Sequence, residues 1–178
     1  MSIIADSVWL EKINDKSIVI EPFDRKSLGC NSYDVHLGKK LAVYKSKVLD
    51  AKKENQVVIF DIPEDGFILE PGKFYLGVTE EYTEFTDTVP ELDGKSSTGR
   101  LGIDIHATAG MGDVGFKGTW TLEISCKVPV KVYAGMPIGQ ILATLVHGDV
   151  LEKYGDKKEQ KYQNQRDLPV PSKMHLNF

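Results

Sequence analysis

The densest chemistry in this 178-residue chain lies between Glu91 and Glu123, ELDGKSSTGRLGIDIHATAGMGDVGFKGTWTLE. Lys95-Ser96-Ser97-Thr98-Gly99-Arg100 sets three hydroxyls, an ammonium and a guanidinium beside a glycine that lets the backbone approach a ligand closely. Donors of this kind suit phosphate oxygens, and the arginine can fork onto a phosphate or a carboxylate. It is not a Walker loop, because GxxxxGK[ST] is absent. By itself the segment reads either as a solvated turn or helix cap, or as a phosphate cradle. Glu123 is the sharper feature. Strand alternation over Thr119–Ser125 puts Thr119, Thr121, Glu123 and Ser125 on one face, and Trp120, Leu122 and Ile124 on the other. An acid at mid-strand among hydroxyls is either a residue of a solvated polar face or, where that face lines a cavity, a general acid/base. Asp113, in Gly110-Met111-Gly112-Asp113-Val114-Gly115, is either an Asx-type turn residue or a carboxylate aimed by a tight bend. His36, His106, His147 and His175 are scattered, and no His/Cys pair has metal-ligand spacing. The zinc-deaminase signature, HxE followed by PCxxC, is missing. His106 reads as a hydrogen-bonded interior residue.

These groups need a scaffold, and the chain supplies strands. SIVIEPF, YDVHLG, KLAVYK, VVIFDI, GFILE, KFYLGVTEEY, IDIHATA, TWTLEISCKV, VKVYA and IGQILATLV are short runs rich in Val, Ile, Tyr and Phe, separated by turn residues. Glu70-Pro71-Gly72-Lys73 has the pattern of a type II turn and predicts a hairpin between its flanking strands. Short strands without alternating helices predict an all-β sandwich or barrel rather than a βαβ sheet. Ser2–Asn14 reads as an amphipathic helix capped by Ser2 or Asp6, either lidding an open end of the β core or binding a partner. The length fits one domain. Beyond Gly148 the chain turns charged and carries little apolar periodicity. Residues 149–178 read as a solvated tail on composition, or as a closing flap on the strength of Tyr154, Lys161, Tyr162 and Gln165.

Bulk properties narrow the functional classes. A formal charge of −4 gives no basic field to draw in nucleic acid, so an anionic ligand must be held by local donors. The apolar runs are too short for a helical membrane span. With only Cys30 and Cys126 and no secretory pattern at MSIIADSVW, the expected location is cytoplasmic.

DGKSSTGRLG, then HATAG, GDVGFKG and TLE, then AGMPIGQ and KYQNQ, taken in order from about Thr79 to Ser172, resemble the dCTP deaminases of the dUTPase-like superfamily. EPF and NSYDVHLG extend the likeness more loosely into the first half. The resemblance implies a distorted β jelly roll, of the dUTPase-like β-clip kind with a short N-terminal helix. It implies a homotrimer with sites between subunits, and deamination of cytosine nucleotides without zinc. Mg²⁺ is expected only through the triphosphate, with no metal bound by side chains. By the same resemblance Lys95, Ser96, Ser97, Thr98, Gly99 and Arg100 contact phosphate, with Ser96 and Arg100 also orienting the water and the acid. Ala109 offers its carbonyl to that water, and Asp113 meets the deoxyribose. Thr121, Leu122 and Glu123 line the base, with Glu123 shuttling protons, while Tyr154, Lys161 and Gln165 close from the tail.

The first expectation is conversion of dCTP to dUTP and ammonia, supplying thymidylate precursors. The alternative is a bifunctional enzyme carrying dCTP through to dUMP and diphosphate; behind it stand a plain dUTPase and a non-catalytic nucleotide-binding module. Gly110 and Gln140 resemble the bifunctional and dUTPase pattern. Met111-Gly112 departs from the bulky-hydrophobic–Ile pair usual before the aspartate, which favours deamination alone.

Overall fold

The computed structural model describes residues 2–156 and 158–178. In chain order it contains β1 (Ser2–Ile3), α1 (Asp6–Asn14), β2 (Ile18–Glu21), β3 (Tyr33–Tyr44), β4 (Val57–Asp61), β5 (Phe67–Leu69), β6 (Tyr75–Thr79), β7 (Tyr82–Phe85) and β8 (Thr88–Gly94). There follow α2 (Ser96–Arg100), β9 (Ile103–Asp104), β10 (Lys117–Gly118), β11 (Thr121–Cys126), β12 (Val130–Val132) and β13 (Pro137–Leu145). The large sheet runs β1-β13-β3-β6-β11-β9, with β4 on β3 and β8 on β13. Two small antiparallel sheets, β10-β7-β2 and β12-β5, complete a distorted jelly roll, the all-β fold the strand pattern implies.

Strand β3 holds the large sheet together. YDVHLG and KLAVYK read as two runs but form one 12-residue strand that changes register between Leu37 and Leu41. Gly38 sits at the bend, where a Cβ would press on Val78 at 3.0 Å. The bend lets Tyr33–His36 pair with β13 and Lys40–Tyr44 pair with β4.

Strand β11 carries Glu123, and its register is fixed by burial. Leu122 and Ile124 have no exposed surface and pack into the single core with Leu37, Leu41, Leu69 and Ile141. Burying each contributes about 1.5–3 kcal/mol. A one-residue slip would expose both and turn Glu123 inward, so the apolar residues set where the acid points.

Three expectations change. The N-terminal helix starts at Asp6 rather than Ser2, because Ser2–Ile3 pairs with Thr144–Leu145 as a strand. Its N-cap is Ala5, with no side-chain cap, and Trp9 anchors it edge-on to Phe85. Glu70–Lys73 does form a turn, with Gly72 at φ +77°, but not a hairpin: β5 pairs with β12, whereas β6 pairs with β3 and β11. Strand β8, which the pattern passed over, pairs along its whole length with β13 despite Pro90.

Candidate active site

Glu123 is half-buried and opens onto a cavity of about 410 Å³. Its Oε2 accepts the Ala107 N–H at 2.7 Å. That donor is in place because residues 103–107 run antiparallel along β11, through Cys126↔Ile103, Ser125↔Asp104 and the Glu123 N–H to the Ile105 carbonyl at 2.8 Å. The carboxylate is thus held by backbone through one oxygen, while Glu123 forms part of the cavity wall. Thr121, Asp113, Tyr154 and Gln165 line the same space. Tyr162 lines it too, so the structure brings together six of the residues expected from sequence.

The tail makes part of this wall. Gln165 bridges Gly118 in parallel and accepts the Thr119 N–H at 3.0 Å, while its side-chain oxygen accepts the Thr121 hydroxyl at 3.1 Å. The same hydroxyl oxygen accepts the Val170 N–H at 3.0 Å. Tyr154 donates its N–H to the Val114 carbonyl at 2.8 Å, and Arg166 lays its guanidinium 3.5 Å over the Tyr82 ring. Buried Tyr82 donates to Glu84 at 2.8 Å, and burial together with that bond pushes its pKa up to about 12, so the phenol stays neutral beneath the arginine.

Lys95 to Arg100 lies elsewhere. Ser96–Arg100 forms one helical turn with Ser96, Ser97, Gly99 and Arg100 exposed and Thr98 buried. Lys95 is paired with Asp34. Lys95, Ser96 and Gly99 line a second cavity of about 330 Å³ with Asp93, Asp104 and His106, and Glu123 is not among its walls. Gln140 braces this second region: its amide donates to the Gly94 carbonyl at 3.1 Å, just before the donor turn, and its oxygen accepts the Ser32 hydroxyl at 2.9 Å. Within one chain, the donor turn and the acid thus face different spaces.

Leu122 puts its side chain in the core, not on the cavity. Lys161 binds Asn177 and lines a separate pocket with Gln160 and Leu176. Ala109 is exposed in the link between His106 and β8 contacts. His106 is less satisfied than expected: Nδ1 has no partner among the described residues, and Nε2 lies 3.7 Å from Asp93. His36 sits 2.5 Å from buried Glu81, whose carboxyl is pushed up from its ordinary range by burial. Sequence reasoning missed Phe116 and Trp120, which wall the cavity with ring centroids 4.8 Å apart, and Tyr44 and Phe74 opposite. Phe116, Trp120 and Phe74 each lie just outside a strand, where no periodic pattern indicates which space a ring faces. Trp120, one residue before β11, packs against the core with Leu122 and Ile124 and also reaches the cavity. Among the described residues, no three His, Cys, Asp or Glu side chains are grouped to hold a metal ion, and no helix is long and apolar enough to cross a membrane.

The antiparallel β-fold defines a protein of the distorted jelly-roll class, with a cavity-facing acid and a hydroxyl- and cation-rich turn on separate spaces of one chain. A family model described as dCTP deaminase-like matches residues 3–145. Curated relatives named "dCTP deaminase, dUMP-forming" are 52% identical over 163 residues in Clostridium acetobutylicum (92% of this chain, 91% of the relative) and 49% identical over 162 residues in Clostridium beijerinckii (91% of each). One from Cytophaga hutchinsonii is 48% identical over 170 residues, covering 94% of this chain and 95% of its own. The crystal structure of a 2′-deoxycytidine 5′-triphosphate deaminase from Agrobacterium tumefaciens shares the fold, with a TM-score of 0.65 at 23% identity. The match covers 82% of this chain and 48% of that one, so this chain spans about half its length. The chain belongs to the dCTP deaminase-like family.

Proposed function

We propose that the protein deaminates dCTP and carries the product on to dUMP and diphosphate. The observation that carries the proposal is Glu123, a carboxylate oriented by the Ala107 N–H at 2.7 Å and facing a cavity shared with Asp113 and the tail. In the deamination, water adds to C4 of cytosine while Glu123 takes its proton and passes it to N3. A second transfer through the same carboxylate moves the remaining hydroxyl proton to the amino group. The C4–N bond then breaks, ammonia leaves and the uracil carbonyl forms. General acid/base transfer of this kind is worth roughly 10²–10⁴-fold. Ser96 and Arg100 orient the water and the acid, with the Ala109 carbonyl as the water's acceptor. Lys95, Ser97 and Gly99 bind phosphate. Buried Thr98 and core-facing Leu122 act through the backbone they fix.

For the second step, Asp113 takes the proton of a water whose oxygen bonds to the α-phosphorus as the bond to diphosphate breaks. The relatives' names support this step, as do Gly110 and Gln140. Release of dUTP, the first expectation from sequence, is the second reading, favoured by Met111-Gly112.

The proton steps need no zinc. Mg²⁺ fits as a passenger on the triphosphate: exposed Ser96, Ser97 and Arg100 offer donors for phosphate oxygens, and among the described residues no cluster of three or more His, Cys, Asp or Glu side chains competes for the ion. Bound there, it neutralises phosphate charge. Because the donor turn and Glu123 face different cavities, the complete site is assigned to the junction of neighbouring copies in a homotrimer. Residues 149–178 act as the closing segment of a single domain, and the expected setting is cytoplasmic.

The test is incubation with dCTP and Mg²⁺, measuring ammonia, dUTP, dUMP and diphosphate. Equal ammonia, dUMP and diphosphate are expected. Ammonia with accumulating dUTP would give the second reading, and no ammonia at all would overturn both.

A further inference from the structure

The short strip before Asp113 is held from two sides. On one side it is laced to β8: the Gly110 carbonyl accepts the Leu92 N–H at 2.7 Å, the Gly112 N–H donates to the Pro90 carbonyl at 2.8 Å, and Met111 bridges Glu91. On the other side stands the Trp120 indole. A Cβ on Gly112 would lie 2.6 Å from Trp120 Cη2 and 3.0 Å from Pro90 Cγ. The glycine is not there for its backbone, since its φ is outside the left-handed region; it is there because the indole fills the space a side chain would occupy.

The ring itself is locked. Its Nε1–H donates to Thr83 Oγ1 at 3.0 Å, Thr83 has no exposed surface, and the backbone N–H of Trp120 donates to Thr79 Oγ1 at 2.9 Å. Phe116 packs on the ring at 4.8 Å between centroids. With its one donor already used on the Thr83 side, the indole turns only carbon toward Gly112. Asp113 follows directly, at the start of the turn closed by the Phe116 N–H to the Asp113 carbonyl at 3.1 Å. The residue before that turn, Gly112, and the last residue in it, Phe116, therefore both lie against the same indole.

We infer that Trp120 is a positioning residue for Asp113 in the diphosphate-releasing step, acting as the missing side chain of position 112. The inference rests on the dUMP-forming reading above. Glu123 takes its orientation from Ala107 rather than from this strip, so loosening the indole separates the two half-reactions. A displacement of about 1 Å in a group that must meet an in-line water costs up to about a hundredfold.

Trp120→Leu is expected to slow diphosphate release from dUTP about ten- to a hundred-fold more than it slows ammonia release from dCTP, so that dUTP accumulates. Trp120→Leu combined with Gly112→Ile, which refills the vacated space from the other side, is expected to recover much of the dUMP-to-ammonia ratio. Gly112→Ile alone must displace the indole and is expected to lower that ratio. Circular dichroism and thermal melting of each variant check that it folds; the ratio is read within one protein sample and does not depend on how much of it is folded. Equal losses in both half-reactions, or a double variant no better than Trp120→Leu, would overturn the inference while leaving the dUMP-forming reading intact. A wild-type chain that releases ammonia but leaves dUTP unhydrolysed would remove both.

Discussion

Glu123 gains its place from residues that do no chemistry. Leu122 and Ile124 pull their side of β11 into the core, so Glu123 must face the other way, and the run from Ile103 to Ala107 then brings a backbone N–H to its carboxylate at 2.7 Å. Glu123→Gln keeps the size and the acceptor oxygen for Ala107 but cannot take a proton. It is expected to bind dCTP with near wild-type affinity while ammonia release falls by about 10²–10⁴-fold. Isothermal titration with dCTP and an ammonia assay on the same sample check both halves, and near wild-type turnover would sink the assignment. Glu123 was legible as a candidate from alternation alone, since Thr-Leu-Glu-Ile-Ser fixes faces without a fold. Ala107 as its partner was not, because that contact depends on the register of two strands about twenty residues apart. The reach of Trp120 into the cavity was not legible for a related reason: alternation holds only inside a strand, and β11 starts one residue later.

At the scale of elements, the tail is the least expected feature. Composition favoured a solvated segment, yet residues 163–166 lie along β10, with the Asn164 N–H donating to the Lys117 carbonyl at 2.7 Å and Gln165 bridging Gly118. Its polar residues pair with strand backbone, a source of order that hydrophobic periodicity does not register. Arg166 pins this strip by stacking on Tyr82. Such a stack is worth roughly 0.5–2 kcal/mol. Arg166→Ala should therefore raise KM for dCTP by about two- to thirty-fold, with a smaller effect on kcat. It should also speed proteolytic cleavage within residues 149–178 of the nucleotide-free protein, and Arg166→Lys should fall between. An unchanged KM together with unchanged proteolysis would show that the strip is held without the stack. The strands themselves were mostly legible from their Val, Ile and aromatic runs. Pro90 hid β8, because proline cannot donate to a ladder and usually argues against a strand. The Pro71-Gly72 turn was read correctly, but a turn does not reveal whether its flanking strands pair with each other.

At the scale of the whole molecule, one chain places Glu123 on one cavity and Lys95, Ser96 and Gly99 on another. Sequence could group these residues by type and by resemblance, but not by distance, since nothing in a single chain's pattern states which copy faces which. A shared site makes a specific prediction about mixtures. On the proposed function Ser96→Ala loses a donor that orients the water and Glu123→Gln loses the proton carrier, so each variant alone is expected to be nearly inactive. When the two variants are unfolded, mixed in equal amounts and refolded together, a junction that draws its turn from one copy and its acid from the next has both wild-type halves about a quarter of the time. Ammonia release should then recover to about a quarter of the wild-type rate. If each chain instead completes its own site, every site in the mixture carries one lesion and nothing is recovered. The mixing experiment thus measures what the two cavities imply: whether the donor turn and the acid act on the same nucleotide from different chains.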